Sequence, residues 1–181
     1  MAYAQPQEVH DGGQVRAMVE ALAKAVLLRH PDPRDLALVG IRTGGEHLAR
    51  RLCDALAGLG HGAPDTGVMD ITLYRDDWTR LHSRPKLGPS QIDFPINDRV
   101  VILVDDVLYT GRTARAALDA LIDFGRPRRI ELLALIDRGG RELPIQPDYV
   151  GAKLNPGAGR VVDVELVEEG AAADRVVTRP G

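Results

Sequence analysis

Thirteen residues in the second half of the chain, Val101-Ile-Leu-Val-Asp-Asp-Val-Leu-Tyr-Thr-Gly-Arg-Thr113, restrict its fold more than any other segment. Val100 to Val104 are uninterrupted apolar residues, the pattern of a strand buried on both faces of a sheet. Such a strand delivers Asp105 and Asp106 to the sheet edge. Two adjacent carboxylates are costly together unless a polyol, a cation or water satisfies them. Thr110, Gly111, Arg112 and Thr113 then lead directly into Ala114, Ala117, Leu118, Leu121 and Ile122 at helical spacing. Gly111 permits close backbone approach. The helix start offers unpaired N–H groups and a positive dipole end, and the threonines add hydroxyls. Together they make a phosphate cradle. Acids for sugar hydroxyls beside a cradle for phosphate describe a phosphorylated ribose. Other frames fit less well. Receiver domains carry an acidic pair after an apolar strand, but near the N-terminus. A Walker loop needs Gly-Lys-Ser/Thr, which is absent here. A plain strand–turn–helix has little use for two acids, two threonines and a glycine in nine residues.

The rest of the chain supplies the frame. Residues 1 to 12 are polar and read as loose. Val15, Met18, Val19, Leu22 and Val26 predict a helix, ended by Pro31 and Pro33. Leu36 to Ile41 predict a buried strand, Leu48 to Leu59 a second helix, and Val68 to Leu73 another strand. Tyr74 to Asn97 is polar and holds Pro85, Gly88, Pro89 and Pro95. A connection this long predicts a lid, a hairpin arm or disorder. Ile130 to Ile136 predict a further buried strand, and Val161 to Val167 with Arg175 to Thr178 a terminal hairpin. Strand and helix alternate, so the class is α/β with a mostly parallel sheet flanked by helices. Ligands then bind beyond the carboxyl ends of the strands. Arg42 to Gly45, Asp105 to Thr113 and Asp137 to Arg141 would gather on that edge.

Bulk properties bound the alternatives. A chain of 181 residues favours one domain over 1–181, and one core of that size is feasible. Its net charge of -3 gives nucleic-acid binding no global support. The one cysteine, Cys53, excludes an intrachain disulfide and reads as a packing residue. No apolar run approaches the roughly 20 residues that span a bilayer, and no signal-like N-terminus is present. No membrane and a cytoplasmic location are therefore expected. His30, His47, His61 and His82 show no ligand-like spacing, and no protein metal site is expected.

Three segments together resemble one family. Asp70-Ile-Thr-Leu-Tyr-Arg-Asp-Asp77, Val104 to Thr113 and Asp137-Arg-Gly-Gly-Arg-Glu-Leu-Pro144 are similar to motifs of the bacterial PyrR family. That family comprises pyrimidine operon attenuators that are also uracil phosphoribosyltransferases, and the resemblance runs from about Val15 to Gly151. It implies the type I phosphoribosyltransferase fold, with a flexible lid or arm over about 74–97 and a small C-terminal hood over about 137–181. It also implies that uracil and 5-phosphoribosyl 1-pyrophosphate (PRPP) give UMP and pyrophosphate. Carried over by motif, Asp105 and Asp106 hold the ribose hydroxyls. Val107, Leu108, Tyr109, Thr110, Gly111, Arg112 and Thr113 hold the 5-phosphate. Arg42, Thr43 and Gly44 form the pyrophosphate loop. Arg75, Asp76 and Asp77 open the lid, with Arg75 counted as catalytic beside Asp105 and Asp106, and Arg84 contacts pyrophosphate. Ile136, Asp137 and Arg138 face uracil. Mg2+ is the implied cofactor, held mainly by PRPP. UMP and UTP, the mRNA leader of a pyrimidine operon, and a second copy in a homodimer or higher assembly are the implied partners. Arg16, Lys24, Arg29, Arg141 and Lys153 are the candidate RNA contacts.

The chain departs from the family pattern in three places. Thr43-Gly44-Gly45 stands where relatives read Thr-Arg-Gly, which removes an arginine near the leaving group. Gly140 stands where they carry a histidine. Glu20, Ala21 and Lys24 stand where the first helix carries threonine, arginine and histidine. An acid on a phosphate-binding face opposes the electrostatic attraction that dominates RNA affinity. Two alternatives stay open: an RNA-binding regulator with weak or no transferase activity, and a purine phosphoribosyltransferase. Trp78 reads as a lid residue or one that packs against a neighbouring subunit. Tyr109, inside the cradle, is placed near the ribose.

Overall fold

The computed structural model describes residues 6–76 and 88–181. Among the described residues, eight strands and three helices run in the order β1 (Gln7–His10), α1 (Gly12–Arg29), β2 (Leu36–Ile41), α2 (Gly44–Gly58), β3 (Asp65–Met69), β4 (Val100–Leu108), α3 (Arg112–Ile122), β5 (Arg129–Asp137), β6 (Tyr149–Lys153), β7 (Arg160–Glu165) and β8 (Arg175–Pro180). β3, β2, β4, β5 and β6, in that spatial order, make a parallel sheet. β1, β8 and β7 make a small antiparallel sheet, the hood.

The apolar runs in β2 and β4 follow from burial on both sides. Leu36 and Leu38 of β2 and Val100, Ile102 and Val104 of β4 join the core under α1 and α2. Their alternates Ala37, Val39, Ile41, Val101 and Leu103 join a second core with Ala114, Ala117 and Leu121 of α3. α1 starts on a capping box, in which Asp11 accepts from the Gln14 amide and the Gln14 side chain accepts from the Asp11 amide. Among the described residues no helix is long and apolar enough to cross a membrane.

From β2 the chain moves outward to β3, then returns to place β4 on the other side of β2. The carboxyl ends of β2 and β4 therefore diverge, and a crevice opens where the strand order reverses. Gly45 lets the loop after β2 lie on β4, since a Cβ there would sit 2.2 Å from the Val104 carbonyl oxygen.

Several expectations need correction. The segment read as loose contains β1, which pairs with β8, and its Asp11 caps α1. The strand expected over Val68 to Leu73 ends at Met69, and a 3-10 turn takes Thr72–Tyr74. β3 starts instead at Asp65, because an edge strand tolerates the polar Asp65 and Thr66. The Asp70 carboxylate accepts from the Thr72 amide and so favours the turn. β6 carries too weak a strand pattern to be predicted; it joins the main sheet, whereas β1, from the other end of the chain, belongs to the hood. The second part of the long polar stretch returns to the body: Val68 and Gln91 exchange backbone hydrogen bonds, and Ile96 is fully buried.

Candidate active site

β4 carries Asp105 and Asp106 in its second half, and Asp105 Oδ2 is buried without a hydrogen-bond partner. The Asp105 carboxylate accepts from the Asp106 amide at 3.1 Å, and Asp106 from the Val107 amide at 2.8 Å. Burial, then the neighbouring Asp106 charge, push the Asp105 carboxyl well above the usual carboxylate range, against the pull of the Arg75 guanidinium. Burial likewise raises Asp106, opposed by the Val107 amide. A buried acid pair with an orphaned oxygen is costly by itself and is matched by a ligand rich in hydroxyls or carrying a cation.

β4 then turns through Tyr109, Thr110 and Gly111 into α3, with Gly111 as the left-handed N-cap. The side chain of Thr110 accepts from the Arg112 amide, and that of Thr113 accepts from Arg75 at 3.3 Å. Arg112 is tied to Asp76 at 2.7 Å and to Glu142 at 2.8 Å, so the cradle touches both the base of the long stretch and the loop after β5. Arg42, Thr43 and Gly44 lie across the crevice, and the Arg42–Thr43 peptide is cis. A Cβ on Gly44 would sit 2.7 Å from Asp106 Oδ2, so this loop rests directly on the acid pair. Arg42 reaches the Pro89 carbonyl and lies 3.6 Å from Glu46. Asp70 joins the two ends of the long stretch by accepting from the amides of Thr72 and Gly88. Arg84, Asp77 and Trp78 lie outside the described residues.

On the third side, Ile136 is buried and Asp137 accepts from the Gly139 amide and from Arg141. Arg138 lies over the Tyr109 ring, 3.7 Å from its centroid, and donates to the Arg160 carbonyl. Tyr109, Asp137, Arg138 and Lys153, with Gly157 to Gly159, line an open hollow of about 640 Å³ beside the cradle.

Thus Arg42, Thr43, Gly44, Arg75, Asp105 to Thr113 and Ile136 to Arg138 converge on one edge of the sheet. The expected RNA contacts do not share one face. Arg16 and Lys24 line a groove between α1 and α2 together with the acids Glu20, Asp54 and Asp174. Arg29 is paired with Asp148 and the buried Glu131. Arg141 turns inward, with only 13% of its side chain exposed, and donates to the carbonyls of Ile145 and Tyr109 as well as to Asp137. Lys153 lines the hollow. Sequence reading missed Asp70 and Glu142 as tethers and Arg141 as a clamp. Each has a partner brought near by the fold, Gly88 for Asp70, Arg112 for Glu142 and Tyr109 for Arg141, and no local signal marks that contact.

The crevice at the strand reversal, the acid pair and the cradle define the class, a phosphoribosyltransferase, and a family model described as the phosphoribosyl transferase domain matches residues 7–169. The hypoxanthine phosphoribosyltransferase of Trypanosoma cruzi superposes with a TM-score of 0.72, covering 99% of this chain and 93% of that one. A hypoxanthine-guanine phosphoribosyltransferase of Bacillus anthracis gives 0.71, with 99% of each covered. At 19% and 15% identity these likenesses speak for the fold alone. A protein of Syntrophobacter fumaroxidans named Bifunctional protein PyrR is 51% identical over 170 residues, 93% of this chain and 90% of the relative. Its namesake in Thermus aquaticus is 47% identical over 93% of each. The chain belongs to the PyrR family.

Proposed function

We propose that the protein transfers the phosphoribosyl group of PRPP to uracil, giving UMP and pyrophosphate. The observation that carries this reading is the buried acid pair Asp105–Asp106, with its orphaned Oδ2, set directly before the cradle that opens α3. Asp105 and Asp106 accept from the ribose 2- and 3-hydroxyls, which satisfies the orphaned oxygen. The amides of Leu108 to Thr113 and the hydroxyls of Thr110 and Thr113 hold the 5-phosphate at the helix start. Arg42 and the Thr43–Gly44 backbone face the pyrophosphate, and Arg75 adds positive charge beside the acids. Ile136, Asp137 and Arg138 present the base.

The bond between the anomeric carbon and the pyrophosphate oxygen breaks, and a bond to uracil N1 forms. The N1 proton leaves to solvent, and the leaving group keeps its electron pair. Basic groups stabilise the departing charge, and exclusion of water protects the oxocarbenium-like centre from hydrolysis. Among the described residues no group of three or more His, Cys, Asp or Glu side chains is arranged to hold a metal. The buried acid pair nevertheless fits a hydrated magnesium ion that arrives on PRPP, which would neutralise charge on the pyrophosphate. The decisive experiment is pyrophosphate release from PRPP and magnesium with each nucleobase in turn. Uracil alone should support it; a protein that responds only to a purine, or to no base, overturns the reading.

The second function fits the family's bifunctional name: binding of a pyrimidine-operon leader RNA in response to uridine nucleotides. Arg16 and Lys24 on α1 support it, and the neighbouring Glu20, Asp54 and Asp174 weaken the phosphate attraction. Gel-shift of such a leader should strengthen with UMP at low salt and fade steeply as salt rises. No UMP-dependent shift at low salt would refute it. A cytoplasmic location and a homodimer or larger assembly belong to the same reading; a monomer in sedimentation velocity would count against the latter.

A further inference from the structure

The Tyr109 side chain leaves the cradle and lines the hollow beside it. Its main chain is fixed, since its carbonyl accepts from Arg141 at 2.8 Å. Its ring lies against the Arg138 guanidinium, 3.7 Å from centroid to Cζ. Arg138 is itself held, by its amide to the Leu108 carbonyl at 3.1 Å and by its guanidinium to the Arg160 carbonyl at 3.0 Å. The ring edge rests on Gly140: a Cβ there would stand 2.5 Å from Cε2 and 3.1 Å from Cδ2. Gly140 also has φ of 73°, a conformation that side chains disfavour. Any other residue at 140 must displace the ring. Yet Tyr109 remains 45% exposed, and it lines the hollow beside Asp137 and Arg138. A ring backed by a cation on one face and fixed along one edge keeps a surface free for a flat, polar heterocycle.

We propose that Tyr109 is the stacking platform for the nucleobase and that Gly140 is the positioning residue that makes the platform available. The proposal rests on the transferase reading and deepens it: the platform recognises the ring of the base, while the cradle recognises the phosphate. Arg138, behind the ring, holds it in place and leaves its other surface to the hollow. A side chain at 140 excludes this ring position, so the platform depends on glycine there.

A double-mutant cycle tests it. Uracil and PRPP KM and kcat are measured for the parent, Tyr109→Phe, Tyr109→Leu, Gly140→Ala and the Tyr109→Leu/Gly140→Ala pair. Calorimetric UMP affinity is measured in parallel. Tyr109→Phe should keep parental uracil KM within about twofold. Tyr109→Leu should raise uracil KM and weaken UMP by roughly tenfold, within the range of aromatic–base stacking, with PRPP KM little changed. Gly140→Ala should weaken uracil and UMP to a similar degree alone, and add nothing once Tyr109 is leucine. Independent, multiplying effects, a Tyr109→Leu protein with parental UMP affinity, or equal rises in both KM values would each overturn the proposal. The two readings fail separately. A parent that binds UMP without turning over sinks the transferase and leaves the platform to be judged on UMP affinity. A parent that binds no UMP sinks both.

Discussion

Asp105→Asn should stabilise the ligand-free protein while abolishing its transferase activity. Asp105 is only 5% exposed, and its Oδ2 has no hydrogen-bond partner. An unsatisfied buried polar group costs about 1–3 kcal/mol. The asparagine amide keeps the shape, removes one charge of an adjacent like-charged pair and offers N–H donors to Asp106. A gain of about 1–3 kcal/mol at pH 8 follows, or roughly 2–12 °C in Tm at 2–4 °C per kcal/mol for a chain of this size. The pH dependence has a fixed sign. The native carboxyl is raised, first by burial and then by Asp106. Below the unfolded value of about 4 it is protonated in both states, and its stability contribution is whole. As pH climbs toward the raised native value the unfolded chain ionises first, and the parent loses stability. The advantage of Asp105→Asn should therefore be small near pH 4 and grow toward pH 8. Thermal melting across that range, with and without PRPP, measures it. PRPP should raise the parental Tm more than that of the variant. A variant that melts below the parent at pH 8, or an advantage flat from pH 4 to 8, would refute the reasoning.

Gly44→Ala should lower kcat/KM for PRPP by about ten- to a hundredfold, because the new Cβ falls 2.7 Å from Asp106 Oδ2 and moves the carboxylate we propose for the ribose; unchanged steady-state kinetics would show that the loop simply retreats. Arg141→Ala should cost roughly 2–3 kcal/mol in urea unfolding, since it strips charged donors from two carbonyls and from Asp137. Glu131→Ala should cost more, about 3–5 kcal/mol, because the fully buried carboxylate holds Arg129 at 2.9 Å, His30 at 2.9 Å and the Tyr149 hydroxyl at 2.6 Å. For both, a midpoint within error of the parent is the contrary result.

The parts that were legible in the sequence are those whose cause is local or periodic. The both-sides burial of β2, β4 and β5 wrote itself as apolar runs, and the acid pair and cradle are contiguous in the chain. β1 and β6 were not legible. β1 is four residues with a polar start, whose only reason to be extended is the partner strand β8. Arg141 shows the same limit at the site. Its side chain is mostly buried, and its donors go to Asp137 and Ile145 nearby in the chain and to the Tyr109 carbonyl that folding brings in. Gly140 was visible as a departure from the family pattern. What it allows, the lie of the Tyr109 ring, depends on a residue thirty-one positions earlier.

The pairing of Gln7 with Thr178 sets an order of events during synthesis. The ribosome releases β1 early and β8 late, so β1 must wait roughly ten to thirty seconds for its partner at ordinary elongation rates. The five-stranded sheet is complete in sequence by Lys153 and has every strand it needs well before then. The hood does not, and the last wall of the hollow, Gly157 to Gly159, leads into β7. A nascent chain can thus form the turn into α3 while still tethered, but the hood behind Gly157 to Gly159 is complete only after β8 has emerged. Ribosome-bound intermediates should accordingly pass through a stage that has the turn opening α3 and lacks the finished hood.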